Sequence, residues 1–460
     1  IIRSRMETSG PTTISELTAS CGLGKSLVHG ALIALESEGF VMRGQFRSEG
    51  HEQEWCERRL LARIHQGTLE RLRQDIEPAS RIEFLDFLTH WQHVNPSTRM
   101  QGIEGLAAII EQLEGYVAPA AAWERDIFPA RMENYDPSWL ETLCLHGRVS
   151  WARITPFRSS PSTGPIKTTP ITLTRRTELM NWYACHESTY QLSPDAQRVL
   201  TFLKDHGASF FADIRIGTGL LRSQVENALA ELVSCALLTA DSFKGLRALL
   251  LPQHKRDTTI HMERRRASGN SFQELMQQAG RWSLLSFNPT ETPDPSIEAK
   301  ARTLLRRYGI VFRALLEREN NLPPWRELLY LYRRLEARGN IRAGRFVSGF
   351  TGEQFALPEA VAMLRKHRKE KPSGNHLSLA AADPLNLLGV LDHQSRLNTA
   401  LPNRFLLKDG ITIAMLQTGE VTWLSDVPER MRWSLHNALV RTRGQAYCVT
   451  GQQSPSTHGG

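Results

Sequence analysis

Apolar residues between positions 14 and 35 fall at helical spacing. Ile14 and Leu17 mark a short helix, Gly22-Leu23 a turn, and Val28, Leu32 and Leu35 a second helix with apolar positions at i, i+4 and i+7. Gly39 stops that helix, and Phe40-Val41-Met42 opens a ribbon that returns through 51–57. Helix, turn, helix and a two-stranded wing predict a winged helix, whose second paired helix can enter a DNA major groove while the wing rests on the backbone.

The same pattern returns twice. A shift of 197 positions lays Gly10 on Gly207, Gly22-Leu23 on Gly219-Leu220, Ser26 on Ser223, Val28 on Val225 and Leu35 on Leu232. A shift of 300 lays Leu35-Glu36 on Leu335-Glu336, Gly39 on Gly339, Gly44 on Gly344, Phe46 on Phe346 and Trp55 on Phe355. One supersecondary unit repeated along a chain is the signature of a modular architecture. Three winged helices are expected, at 1–65, 191–253 and 297–372.

Between them, 66–155 reads as a helical insert, because apolar positions at 69–72, 84–88 and 106–113 keep helical spacing between prolines at 78, 96, 119 and 129. The segment 156–190 opens with PFRSSPSTGPIKTTP and reads as a linker. A second linker, 254–296, carries Arg264-Arg265-Arg266, either a track for nucleic acid or a solvated charge run. At 373–450 the pattern changes to short alternating strands around Asp409-Gly410 and Thr418-Gly419, predicting a small antiparallel barrel or sheet. The tail 451–460, GQQSPSTHGG, is expected to be disordered. The fold class is therefore mainly α with β wings: tandem winged helices, a helical insert and a C-terminal small β-barrel or sheet.

Composition narrows the function. Hydrophobic residues make up 41% and charged residues 23% of 460, an ordinary globular balance, and a net charge of +8 favours a polyanionic partner. Six dispersed cysteines without metal spacing fit reduced thiols in a cytoplasmic protein. No apolar run is long enough to span a bilayer, so no membrane partner is expected. Fifteen scattered histidines suggest no metal site. The chain opens Ile1-Ile2-Arg3, which suggests a fragment of a longer polypeptide.

One short run tests the nucleotide-binding alternative. Gly22-Leu23-Gly24-Lys25-Ser26 has the tail of a phosphate-binding loop, but Ala19 stands where the first glycine belongs, and the repeat replaces Gly24 with Leu221. What both copies keep is the turn, a basic residue and a serine. Lys25 and Ser26, with Arg222 and Ser223, stand at the first turn of a candidate recognition helix. Exposed N–H groups and positive charge suit a DNA phosphate there. Alternatively, the serines cap their helices and the basic residues solvate them. Arg43, Arg342 and Arg345, in or beside the wing segments, complete the candidate DNA contacts.

GRFVSGFTGEQFALPEAV at 344–361, AADPLNLLGVL at 381–391, EWCERRLLARIH at 54–65 and GRWSLL at 280–285 together resemble the C-terminal region of bacterial large helicase-related proteins, nearly end to end. The resemblance implies a DNA-repair helicase whose ATPase motor, with its ATP and Mg²⁺, lies N-terminal to this chain; no cofactor is expected in the fragment. It implies winged helices with a β-barrel, homotetramers, a DNA partner that is single-stranded or forked, and contact with the helicase core. It also implies similarity to tandem winged-helix DNA glycosylases. For base excision, Asp383 in Ala382-Asp383-Pro384-Leu385-Asn386 offers a carboxylate, or a turn before a strand. Gln92 in Trp91-Gln92-His93-Val94-Asn95 offers an amide beside a stacking ring, although the Gln-x-Gln spacing of the crosslink glycosylases is not met. Three functions remain open: DNA binding and oligomerisation for a helicase, a monofunctional uracil or crosslink glycosylase, and a structural tetramerisation scaffold.

Overall fold

The computed structural model describes residues 1–47, 52–74, 77–154, 167–183, 192–250, 279–285, 293–319, 321–370, 372–391 and 397–440. The Arg264-Arg265-Arg266 run, most of the PFRSSPSTGPIKTTP linker, the tail 451–460, Cys185 and Cys448 lie outside the described residues. The chain forms two compact units, Ile1–Glu77 and Pro78–Gly460.

The first unit contains α1 (Ile2–Thr8), β1 (Thr12–Thr13), α2 (Ile14–Cys21), α3 (Lys25–Ser37), β2 (Val41–Gly44), β3 (Glu54–Glu57) and α4 (Arg58–Gln74). Thr13 and Glu16 cap α2 reciprocally, each side chain taking an orphan N–H of the first turn. Gly22 ends α2 at φ +68°, a left-handed position that an L side chain resists. Met6, Leu17, Val28, Leu32 and Trp55 close the core. Each fully buried aliphatic side chain stabilises it by about 1.5–3 kcal/mol.

The second unit begins with α5 (Arg81–Trp91), α6 (Gly102–Gln112), β4 (Ala118–Pro119), α7 (Ala120–Ala122), a π-helical turn at Trp123–Ile127, α8 (Phe128–Arg131), α9 (Pro137–Leu145), β5 (Val149–Ala152), β6 (Pro170–Arg175) and α10 (Leu179–Trp182). It continues through α11 (Pro194–His206), β7 (Ser209–Phe210), α12 (Phe211–Thr218), α13 (Arg222–Ser234), β8 (Leu238–Ala240), α14 (Phe243–Leu249) and β9 (Arg281–Leu284). Next come α15 (Pro293–Tyr308), β10 (Ile310–Val311), α16 (Arg313–Leu316), α17 (Trp325–Ala337), β11 (Arg342–Gly344), β12 (Gln354–Ala356) and α18 (Pro358–His367). Strands β13 (His376–Ala380), β14 (Arg404–Lys408), β15 (Ile411–Gln417) and β16 (Glu420–Trp423) precede α19 (Glu429–Val440).

Four small sheets share one topology. The orders β1-β3-β2, β4-β6-β5, β7-β9-β8 and β10-β12-β11 each follow a helix, strand, helices, strand, strand sequence, with α14 set between β8 and β9 in the third. Among the described residues the chain therefore carries four winged helices, and the stretch expected as a helical insert is corrected to the second of them. Its wing strand β6 comes from Pro170–Arg175, inside the segment expected as a linker. The repeat read at a shift of 300 holds in register: Arg43 pairs with Trp55 across the first wing, and Ala343 with Phe355 across the fourth. Glu54 accepts hydrogen bonds from the Phe46 and Arg47 N–H groups at 2.7 and 2.9 Å, and Gln354 from those of Phe346 and Val347 at 2.9 and 2.8 Å. Gly219, like Gly22, ends its helix left-handed, at φ +66°.

The second and third modules share one core, running from Leu106, Ile109 and Ile110 through Trp151 to Leu229 and Trp282. Trp151 and Trp282 meet edge to face, with centroids 6.5 Å apart. The C-terminal sheet runs β13-β14-β15-β16, all antiparallel, with α19 against it. Among the described residues it is open, with β13 and β16 as edges, so the barrel alternative is corrected to a sheet. Both expected turns form with positive φ, Asp409-Gly410 at +45° and +78° and Thr418-Gly419 at +51° and +89°. Gly410 is also required by contact, since a Cβ there would lie 2.2 Å from the Ile82 carbonyl oxygen.

Candidate functional site

Lys25 and Ser26 form the exposed first turn of α3. Gly24 is the N-cap and no side chain bonds the free N–H groups, so Ser26 does not cap the helix. Beyond its core residues Val28, Leu32 and Leu35, α3 leaves its other faces open, with Leu27 69% exposed. On β2, Arg43 pairs with Glu36 at 3.3 Å and lies over the Trp55 ring. The third module differs. Arg222 is bound to Glu226 at 2.8 Å, and Glu226, Ala230, Val233 and Ser234 are buried along a second stripe of α13. Ser223 is exposed at its first turn. Ala230 and Val233 join the core shared with the preceding module, so protein occupies the face that would enter a groove.

The fourth module resembles the first. Arg342 on β11 and Arg345 just after it are exposed. Its third helix, α17, repeats the position of α3 residue for residue at the shift of 300, and presents Arg326 and Tyr330, the latter 68% exposed, beside Arg333. Ile297, Leu329 and these three line a shallow groove of about 530 Å³. Arg333 also pairs with Glu353 at 2.8 Å. Extending the repeat from 35–55 back to 25–37 would have found Arg326 and Tyr330.

Gln92 and Asp383, expected separately, are brought together by a residue that the sequence reading did not single out. Arg131 donates Nη1 to Asp383 Oδ2 at 2.6 Å and Nη2 to Oδ1 at 3.0 Å, and Nη2 also reaches Gln92 Oε1 at 2.9 Å. Gln92 Nε2 donates to the Arg307 carbonyl at 2.9 Å, and the Leu385 N–H donates to Asp383 Oδ1 at 2.9 Å. Gln92 and Arg131 have no exposed surface and Asp383 has 2%, so no substrate reaches them without opening the network. Trp91 is stacked on Phe87 and donates to the Arg306 carbonyl, so its ring and N–H are both engaged.

Next to this network lies a cleft of about 310 Å³ lined by Tyr116, Tyr308, Arg318, Glu319 and Asn386. Tyr116 donates its hydroxyl to the Ala382 carbonyl at 3.0 Å, and Tyr308 to Glu319 Oε1 at 2.7 Å. Burial, then the nearby carboxylates, holds both phenols well above their usual range. Arg307 is fully buried, bonded to Glu319 and set over the Tyr116 ring. Elsewhere, where no metal set was expected, Asp86, His90 and His367 converge. Sequence spacing could not reveal this, since His367 lies 281 positions from Asp86. No helix among the described residues is long and apolar enough to cross a membrane.

Known proteins match these modules. Residues 79–175 and 290–376 each match a family model described as a winged-helix domain of the large helicase-related protein. A relative from Mycolicibacterium smegmatis, named Lhr helicase/probable uracil glycosylase, is 30% identical over 438 residues, covering 90% of this chain and 28% of that protein. One from Escherichia coli, named Lhr helicase/uracil glycosylase, is 27% identical over 417 residues, covering 82% of this chain and 26% of its own length. The chain thus spans little more than a quarter of each relative. Two matched winged-helix domains in order, within alignments that run along most of the sequence, establish that the chain belongs to the large helicase-related family, as part of its C-terminal region.

Proposed function

We propose that this region binds DNA through the outward helices α3 and α17 and their wings, on behalf of an ATP- and Mg²⁺-driven helicase motor in the same polypeptide in the cytoplasm. The observation that carries the reading is the contrast among third helices. Those of the first and fourth modules offer Lys25 and Ser26, and Arg326, Tyr330 and Arg333, to solvent, while that of the third is buried on its outer side. Arginine beside an exposed aromatic ring suits single-stranded or forked DNA, since every base offers a face for stacking. Homotetramers are part of the proposal, with the exposed Trp433 and Ile216 among the groups a second copy would cover.

Salt-dependent binding to forked DNA tests it. Arg326→Glu should weaken binding across sequences and reduce the salt slope by about 1. Tyr330→Ala should weaken single-stranded binding by about tenfold or more. No binding at low salt, or unchanged affinity in both variants, would leave a scaffold role, which a tetrameric mass in solution would then support.

A second reading, base excision, is favoured by the cleft beside Asn386. Its volume of about 310 Å³ sits at the low end of the roughly 300–1,000 Å³ typical of small-molecule sites. Glu319 and Asn386 line it, and Asp383 lies behind it, bound to Arg131. Alkali-labile sites in uracil-containing single-stranded DNA, reduced by Asn386→Ala or Glu319→Gln, would support this reading. No product from the unmodified chain would remove it.

A further inference from the structure

Helix α5 places Asp86 and His90 four residues apart, on one face. The last residue of α18, His367, meets that face. Its Nε2 lies 2.6 Å from Asp86 Oδ2, and the imidazole rings of His90 and His367 are 4.4 Å apart between centroids. One ligand-capable atom from each of the three side chains falls within 4.8 Å of the others. His90 Nδ1 lies 3.1 Å from the Asp86 carbonyl oxygen. A carbonyl only accepts, so the neutral ring carries its proton on Nδ1 and keeps the Nε2 lone pair for a ligand, an orientation typical of metal-binding histidines. Glu370 Oε2 lies 3.8 Å from His367 Nδ1, where a carboxylate can orient the ring. The side chains of His367 and Asp86 are 15% and 19% exposed, so water can complete the coordination.

We propose that Asp86, His90 and His367 form a divalent transition-metal site that ties α5 to α18 and so staples the second winged helix to the fourth. Two imidazoles and one carboxylate suit Zn²⁺, Co²⁺ or Ni²⁺ and disfavour the oxygen-seeking Mg²⁺ and Ca²⁺. Binding replaces the proton that His367 shares with Asp86, which passes to solvent. Arg368, on the same helix end, does not compete, since it is paired with Glu83 at 3.1 Å. The ion would reinforce a junction where Trp91 and Gln92 already donate to the carbonyls of Arg306 and Arg307.

The full chain, stripped with a chelator, is titrated with Co²⁺ and then Zn²⁺. The expected result is one equivalent of Co²⁺ with visible ligand-field bands, displaced by Zn²⁺, and a higher thermal midpoint for the Pro78–Gly460 unit with Zn²⁺ present. His90→Ala and His367→Ala should each weaken Zn²⁺ binding by about 100-fold or more, while His206→Ala, at an exposed histidine elsewhere, should not. Because His367→Ala also removes the contact with Asp86, His90→Gln serves as the gentler variant, with far-ultraviolet circular dichroism reporting its fold. Absence of saturable binding by the parent chain, or binding unchanged in His90→Gln and His367→Ala, overturns the proposal.

Discussion

Arg131 has no exposed surface, yet both of its terminal nitrogens are engaged, by Asp383 and by Gln92. A guanidinium removed from water is tolerable only while its charge is met, and one missing partner leaves an uncompensated cation. Asp383→Ala is therefore expected to destabilise the Pro78–Gly460 unit by about 3–5 kcal/mol in denaturant unfolding. The double replacement Arg131→Met with Asp383→Leu should recover much of that loss, because it removes the charge along with its partner. A loss below about 1 kcal/mol for Asp383→Ala would mean that water reaches the guanidinium. Gln92 and Asp383 were legible in the sequence as a candidate amide and carboxylate for base excision. Their common partner was not, since Asp383 and Arg131 stand 252 positions apart.

Glycines at element ends separate strain of the backbone from strain of packing. Gly22 has φ +68° and open space around its missing Cβ, so Gly22→Ala should cost only the left-handed penalty, about 1–2 kcal/mol. Gly115 has φ +75°, and a Cβ there would lie 2.1 Å from the ring of Trp182, a side chain only 1% exposed. Gly115→Ala should carry the same penalty plus overpacking of about 1–3 kcal/mol. Shifts in the urea midpoint at constant slope, each in its own unit, would check the order, and equal losses would show that Trp182 yields freely. The glycine turns were legible because they recur. The wing strand Pro170–Arg175 was not, because it pairs with Val149–Ala152 across a stretch whose composition reads as linker.

Two compact units predict two thermal transitions, and acid should separate them. In the first unit, the hydrogen bond from Arg47, then that from the Thr13 backbone, hold Glu16 near pKa 2, below its usual 4.5. A carboxylate depressed on folding adds stability that is fully present above about 4.5 and is lost as pH falls toward about 2. The Ile1–Glu77 transition should therefore move to lower temperature between pH 5 and 3. Glu16→Gln should flatten that dependence while leaving the Pro78–Gly460 transition unchanged. Calorimetry across this range reads both transitions, and equal acid sensitivity of the variant would remove Glu16 as the cause. The same network places Arg47 between Glu16 and Glu54, so the capping of α2 and the turn of the wing answer to one cation.

By itself the sequence showed the winged-helix pattern and its recurrence, the glycine turns and the antiparallel C-terminal strands. It also argued against a phosphate loop at Gly22 to Ser26, through Ala19 and the exchange of Gly24 for Leu221 in the repeat. These features rest on local periodicity and backbone chirality, which act over a few residues and repeat wherever the module repeats. Tertiary structure alone decided the rest. It made the helical stretch a fourth winged helix, kept the C-terminal sheet open, and buried the outer stripe of α13 while leaving α3 and α17 to solvent. It joined Gln92 to Asp383 through Arg131, and set Asp86 and His90 against His367. Each of these depends on side chains far apart in the chain meeting in a low-dielectric interior, where charge pairing and close packing determine the arrangement and local sequence patterns do not.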